Sequence, residues 1–589
     1  MQWMDLSQYL PMSLILIILI ILGFDHFCFT SLISPTNFQQ GITEISLFRS
    51  AINCTLIVIA PLILILPVTS PAELIILHYV LGYGCAALLA ISLISPILHY
   101  NPSPSICYYI KLRFNQSFLY LLVCVLNVIF LMIFTVILLI TTVSLITTRI
   151  SFLSPYKICT MLGYTGIFAI AFGGQTTVSS NVFFASICLA MLAASYIIFD
   201  NLTNYIYNFV DIILSHDYLS FDSWTAFYLG ILNGLHFLIT SPLLYQQYFS
   251  LSSCRRLRES LAIHVLLFGL LTSIMLIPSN LFSNKINWFC QINSFAMFNV
   301  SHEDVSLEID NGLFPSLINA VLSLVASFAI ILTELTLINL IWEDLLRPLL
   351  IRRSLQQQIG SIQIGLLIIG SLIIALSNAW LYLDKPLKYG PISLLILGTL
   401  AAPMTALYTC SYLFPFLNGK GATTGLLTGI FGTLVLLYLY FRVTPLRFHH
   451  FPLQCFNETL ITHSLIWPDC KFAYLELDFA STTLQAIANK AQKLLPILCE
   501  IPIAWYPLTT FIITALSMLF VSLCTCNSNT NEFDWKLIIC IPYFGIFTRH
   551  TDNAISNDKH VAFVECESFR YAQQTPYPDT VATVTHMIQ

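Results

Sequence analysis

Charge is what this chain has least of. Asp, Glu, Lys and Arg make up 9% of its 589 residues, where a soluble domain carries roughly 25%. So few charged groups cannot coat a water-facing surface. Hydrophobic residues make up 57% of the chain and its mean hydropathy is +0.82. They come in runs such as Ser13 to Phe24 and Ile129 to Ile140. Lipid suits such runs, because a helix satisfies its own backbone polar groups there. The expected fold is therefore all-α and polytopic, embedded in a bilayer.

Chemical signatures are missing as well. No phosphate-binding glycine loop, zinc motif or nucleophile elbow occurs. No inner loop is long enough for the nucleotide domain of an ATP-driven pump. The 17 cysteines are scattered, mostly within apolar runs, without metal-ligand spacing. No enzyme chemistry, no resident metal, no cofactor and no nucleic-acid partner are expected. Cys455 and Cys470 share one large loop, where a disulfide and two free thiols are equally open readings. Cys524 and Cys526 abut the inner face, as palmitoylation sites or as inert thiols.

What is present is a series of long apolar segments. A helix needs about 20 apolar residues to cross the hydrocarbon core. By that ruler about thirteen spans lie near 8–24, 51–69, 73–99, 118–146, 155–174, 181–200, 223–245, 260–282, 314–342, 359–382, 388–415, 421–441 and 500–524. The first has no small-residue cleavage site behind it and reads as a retained span.

Basic residues orient the bundle. Lys111 with Arg113, then Arg255, Arg256 and Arg258, then Arg347, Arg352 and Arg353 lie in three loops. With thirteen spans these loops share one side with Arg49, Lys420 and the C-terminal tail. The positive-inside rule makes that side cytosolic, so the N-terminus is extracellular and the C-terminus cytosolic, as in a multi-pass plasma-membrane protein. The sequons Asn201, Asn299 and Asn457 then face outward as glycosylation sites. Asn115 faces inward and Asn53 sits in a span, so neither should be modified. The tail from Asn527 is polar, lacks helical periodicity and reads as mostly disordered.

Two spans are interrupted. The second carries Pro61 and Pro67 within an apolar run, and the seventh carries Gly230, Gly234 and Pro242. Proline removes an amide donor and displaces the bond of the carbonyl four residues earlier. Transporters place binding sites where discontinuous helices occupy corresponding positions in two inverted repeats. These two spans open two five-span units of opposite orientation, 51–200 and 223–415. An extra N-terminal span and loop (1–50) precede them. Two further spans (421–524) enclosing a large outer loop (442–498) follow, then the tail (525–589). The plainer reading is that each proline only kinks a packed helix.

Short segments carry a resemblance. Pro71-Ala-Glu73, Tyr109-Ile-Lys-Leu-Arg-Phe-Asn115, Phe172-Gly-Gly174 with Val182-Phe183, Ser223-Trp-Thr225, Gln246-Gln-Tyr-Phe-Ser250 and Glu343-Asp-Leu-Leu-Arg-Pro348 run in one order from about residue 70 to 350. In that order they resemble segments of the sodium/solute symporter family. The Glu-Asp-Leu and Arg-Pro pairing is similar to the branch that carries multivitamins, monocarboxylates and iodide. The resemblance implies secondary active transport, with sodium driving a small organic or inorganic anion inward by alternating access. One charge moved through 100 mV yields about 2.3 kcal/mol.

The resemblance also implies where a sodium ion would sit, and where this chain departs. Backbone carbonyls of the interrupted second span map to Ile59 and Leu62, beside Pro61. The family's partner hydroxyls map to Phe328, Ile331 and Leu332, none of which offers an oxygen. Asn181 stands where the family places an aspartate, and Ser241 and Pro242 stand where it keeps polar residues. Glu334 offers an alternative. It lies nine residues before Glu343, so about 13 Å deeper along a helix rising ~1.5 Å per residue. Ser327 shares its face and Thr333 adjoins it. A carboxylate at that depth can hold sodium or carry a proton; the competing reading is a glutamate snorkelling toward the inner interface. Asn233, Ser241 and His236 are candidates to line a substrate cavity. His78, His236 and His264 equally suit bonds between helices.

The leading expectation is a sodium-coupled symporter. The alternatives are a proton-coupled symporter and a degenerate member that senses or scaffolds without transport. A respiratory proton-pumping subunit shares the composition, but no lysine occupies a span centre here.

Overall fold

A computed structural model of the chain describes residues 46–65, 73–101, 103–147, 154–171, 221–249, 253–276, 313–350, 352–382, 390–443 and 505–525, with isolated residues between them. The expected spans at 8–24 and 181–200, the large outer loop, the tail, Pro67, Asn181, Asn201, Asn299, Asn457, Cys455 and Cys470 lie outside the described residues.

Every described element is helical. In chain order they are α1 (Leu47–Ile65), α2 (Glu73–Leu89), α3 (Ser95–Tyr100), α4 (Cys107–Phe114), α5 (Ser117–Thr147), α6 (155–171), α7 (Phe221–Leu235), α8 (Pro242–Phe249), α9 (Cys254–Leu276), α10 (Leu313–Ile341), α11 (Arg347–Leu350), α12 (Leu355–Tyr382), α13 (Gly390–Leu413), α14 (Gly419–Val443) and α15 (Tyr506–Cys524). Three π-helical turns join α2 to α3, α7 to α8 and α10 to α11: Ala90–Ile94, His236–Thr240 and Trp342–Leu346. Six described stretches are long and apolar enough to cross a membrane, and the bent pair α7–α8 makes a seventh.

The helices pair in two groups. α2 lies along α7 while α1 lies along α9; α10 packs on α5, and α12 packs on both. α10 is the enclosed centre, with residues 325–340 buried without interruption. Outward faces carry Leu266, Leu270, Ile364, Ile368, Phe431 and Phe520, as lipid-facing helices do.

Small residues set the closest crossing. A Cβ on Gly230 would fall on the backbone carbonyl of Tyr79, and one on Gly82 on that of Phe227. Gly234 sits against Ala86, 2.6 Å from where its Cβ would be. Gly230 and Gly234 are therefore not helix breaks, as the sequence suggested; both lie inside continuous α7 and bring it against α2. Glycines spaced by four are a familiar device for close helix approach in bilayers.

α1 also departs from expectation. It runs as helix through Pro61 to Ile65. In a continuous helix the Ile59 carbonyl is engaged by the amide four residues on. The carbonyl that Pro61 deprives of a partner is that of Ile57. Proline kinks without ending a helix when packing holds the flanks, and Leu56, Ile57, Val58 and Ile59 are all buried. Pro403 inside α13 poses the same problem with a visible remedy. It strands the Thr399 carbonyl, to which Thr433 of α14 donates at 3.4 Å.

At the basic end, α4 stops where Asn115 takes a left-handed conformation with φ of 48°. Arg113 then reaches the carbonyls of Phe414, Pro415 and Leu417 at 3.3, 3.1 and 3.4 Å. Burial pushes its guanidinium down to about 10, leaving it charged at neutral pH. That cation closes the turn after α13, whose carbonyls have no helical partner.

Candidate functional site

The break between α7 and α8 is built by Pro242. Its ring cannot donate an amide, so the preceding backbone leaves the helix. Ser241 is extended, at φ −76° and ψ 128°, and its amide bonds back to the His236 carbonyl at 2.8 Å. The Ser241 hydroxyl accepts the Leu243 amide at 3.3 Å, capping α8. The two helices meet at 46°. Ser241 thus serves as the cap of the second half-helix, and its hydroxyl is already engaged.

His236 opens the π turn at this break. Its Nδ1 lies 2.9 Å from the Thr240 hydroxyl and 3.2 Å from that of Thr405. Thr240 gives its proton to the His236 carbonyl and Thr405 gives its own to the Ala401 carbonyl. Nε2 is buried and has no hydrogen-bond partner among the described residues. The Phe130 ring meets the imidazole edge-on at 4.8 Å. His236 thus joins α7, α13 and α5 through one ring nitrogen and its ring edge, with Nε2 unengaged among the described residues. Asn233, one turn earlier, donates to the Tyr79 hydroxyl at 3.2 Å and is half-buried.

Glu334 lies deep in α10 and is 2% exposed. Neither carboxylate oxygen has a hydrogen-bond partner among the described residues. The side chain is aimed at α6, where a Cβ on Gly166 would come within 3.2 Å of Oε2. The carboxylate thus faces α6 at a position that carries no side chain. Ser327 is buried seven residues away on the same face. Thr333 points elsewhere: its hydroxyl lies 3.2 Å from that of Thr135 on α5 and donates to the Ile330 carbonyl. The three residues are therefore not one ligand set. Phe328, Ile331 and Leu332 are buried as apolar packing, and Ile59 lies among the same core residues. Leu62 lies within the continuous part of α1. The described residues do not bring free carbonyls of Ile59 and Leu62 together with a hydroxyl partner.

Among the described residues, side chains fill the space at the break. Phe130, Phe134, Phe237, Leu238 and Ile239 close the centre as one apolar core. A narrow cleft opens nearer the basic end, between α8 and α10, with room for about one water. Gln246, Asn339 and Glu343 line it. The Asn339 amide is buried with neither atom bonded, and Gln246 Oε1 is likewise unpartnered. Buried polar atoms without partners are rare in settled cores; among the described residues these lie where the cleft can admit a water. Sequence reading missed Asn339 and Gly166; an isolated amide and an isolated glycine in apolar spans carry little signal by themselves.

His264 shows the opposite pattern. Nδ1 meets the Thr55 hydroxyl at 3.0 Å and Nε2 meets the Tyr83 hydroxyl at 2.8 Å. It ties α9 to α1 and α2 with both nitrogens occupied. Asn53 is buried and donates to Gln247 Oε1 at 3.1 Å.

No known protein-family model matches the chain, and no curated protein matches it in sequence. Solved structures do match. A substrate-bound, outward-open Na+-coupled sialic acid symporter, described as revealing a novel Na+ site, superposes with a TM-score of 0.60. The match covers 88% of this chain and 97% of that one at 12% identity. At that identity the likeness concerns architecture: this chain has the fold of a sodium-coupled symporter.

Proposed function

We propose that this protein is a secondary active transporter of the plasma membrane, moving a small solute by alternating access with a cation coupled through Glu334. The observation that carries this reading is a buried carboxylate with two unpartnered oxygens in a helix bundle of symporter fold. An isolated charge in such surroundings is costly, so the group needs a cation or a proton. The helix pairing supports a repeat of five and five spans: exchanging the units 51–200 and 223–415 turns the α2–α7 pair into the α9–α1 pair. The substrate is a small organic anion of vitamin-like or monocarboxylate type, or an inorganic anion. Its place in the proposed cycle is the α7–α8 break beside His236 and Asn233, reached when the apolar core that closes the break parts. The N-terminus is extracellular and the C-terminus cytosolic.

Sodium is the first reading for the coupling ion. A proton is the second, and a specific observation favours it: no hydroxyl among the described residues is hydrogen-bonded to Glu334, whereas sodium prefers several oxygen ligands. The test is uptake of labelled biotin, pantothenate, lactate and iodide into proteoliposomes under separate sodium and proton gradients. Gradient-driven uptake of one of them, reduced at least about 10-fold by Glu334→Gln, is expected. Uptake of none under either gradient would favour a non-transporting member of this fold. Full coupled uptake by Glu334→Gln would remove the carboxylate from the mechanism.

A further inference from the structure

Cys107 begins α4, Cys124 lies two turns into α5, and Asp344 sits in the π turn after α10. Their Sγ, Sγ and carboxylate oxygen lie within 4.8 Å of one another, and all three residues are buried. Both thiols are free. We propose that these three side chains form a binding site for a thiophilic divalent cation, zinc being the type, at the basic end of the bundle.

The donor set selects the metal class. Two thiolates and one carboxylate suit zinc, and hard sodium, magnesium or calcium would reject the sulfurs. This site is therefore distinct in chemistry from an oxygen-only coupling site. In a tetrahedral zinc site, ligand sulfurs stand about 3.8 Å apart, given Zn–S bonds of about 2.3 Å. The three ligand atoms need to draw in by no more than about 1 Å.

An outer shell is already in place. The Ser105 hydroxyl donates to one Asp344 oxygen at 2.7 Å and the Tyr120 hydroxyl to the other at 2.8 Å. The Asn127 amide donates to Cys107 Sγ at 3.3 Å. Such donors hold ligands in orientation and are typical of built metal sites. Lys111 stands over the Tyr120 ring at 5.7 Å, and Glu343 turns away to pair with Arg347 at 2.6 Å. Ser105 and Glu343 also line the cleft described above. That cleft offers an entry route and a water for the fourth position.

Binding is a proton exchange without redox change. One divalent cation replaces the two thiol protons, which leave to solvent, and forms two metal–sulfur bonds and one metal–oxygen bond. The cluster then carries one net negative charge. Bound metal would pin α4, α5 and the end of α10 together. If the protein transports as proposed, zinc would slow it; binding itself does not depend on that reading.

Zinc ion alone is titrated into the reduced, detergent-purified full chain against a chromophoric chelator, with proton release followed in weak buffer. One zinc per chain and about two protons released are expected. Cys124→Ser and Asp344→Asn should each weaken binding by about 100-fold, while Cys54→Ser and Cys159→Ser, at buried thiols elsewhere, should leave it unchanged. A second readout needs no variant: zinc should protect Cys107 and Cys124 of the wild-type chain from alkylation, scored by mass spectrometry. No bound zinc in the reduced protein, or zinc that neither protects these thiols nor responds to their replacement, would overturn the site.

Discussion

Two buried histidines in this bundle meet opposite fates. His264 has a hydroxyl on each nitrogen, so its removal strands Thr55 and Tyr83 in a dry interior. His264→Ala should cost about 1–3 kcal/mol, visible as a lowered melting temperature. His236 keeps Nε2 unused. His236→Gln should leave the melting temperature nearly unchanged and raise the solute KM several-fold. If the two variants behaved alike, the distinction between bonding histidine and solute-facing histidine would fail. Gly166 belongs to the same scale. A Cβ there would sit 3.2 Å from Glu334 Oε2 and 3.3 Å from Ile331, a crowding that neighbours can absorb by small shifts. Gly166→Ala should therefore preserve expression and weaken the half-saturating concentration of the coupling cation several-fold. Glu334 was legible as a deep carboxylate from its distance to Glu343 along one helix. Gly166 was not, because nothing local in α6 announces which helix faces it.

Among elements, the α7–α8 break is the one the backbone commits to most. Pro242 was readable as its cause, since proline must lose an amide bond, whereas Ser241 was read as a cavity-lining residue and proves to cap the second half-helix. Gly230 and Gly234 were misread as part of the same break, although a four-residue glycine spacing equally signals close helix approach. The structure decides for approach, with the Tyr79 carbonyl where a side chain would be. Gly230→Leu should consequently abolish folding-competent expression, as overpacking against backbone cannot be relieved by rotamer change. Pro242→Ala restores an amide and should straighten the 46° bend. The expected result is higher thermal stability with transport reduced about 10-fold. Equal transport by the straightened helix would show that the bend has no part in moving solute.

At the scale of the molecule, the apolar runs and sparse charge were enough to announce an all-α membrane protein, and the order of short segments pointed to a symporter architecture. The Cys107–Cys124–Asp344 cluster was invisible in the sequence for a physical reason: its ligands come from three segments that only tertiary packing brings together. The same holds for the closed centre, where residues of α5 and of the π turn after α7 interlock. The proposed exchange of access would have to part these aromatic and aliphatic contacts while α10, with Glu334 2% exposed, stays enclosed.

The account stands on that carboxylate taking up an ion. Charge displacement on a solid-supported membrane, after a sodium jump and separately after a proton jump, reads this without any knowledge of the solute. The wild-type protein should give a transient current with one of the two ions, and Glu334→Gln should give none. A current of equal size in both proteins, or no current with either ion, would contradict it.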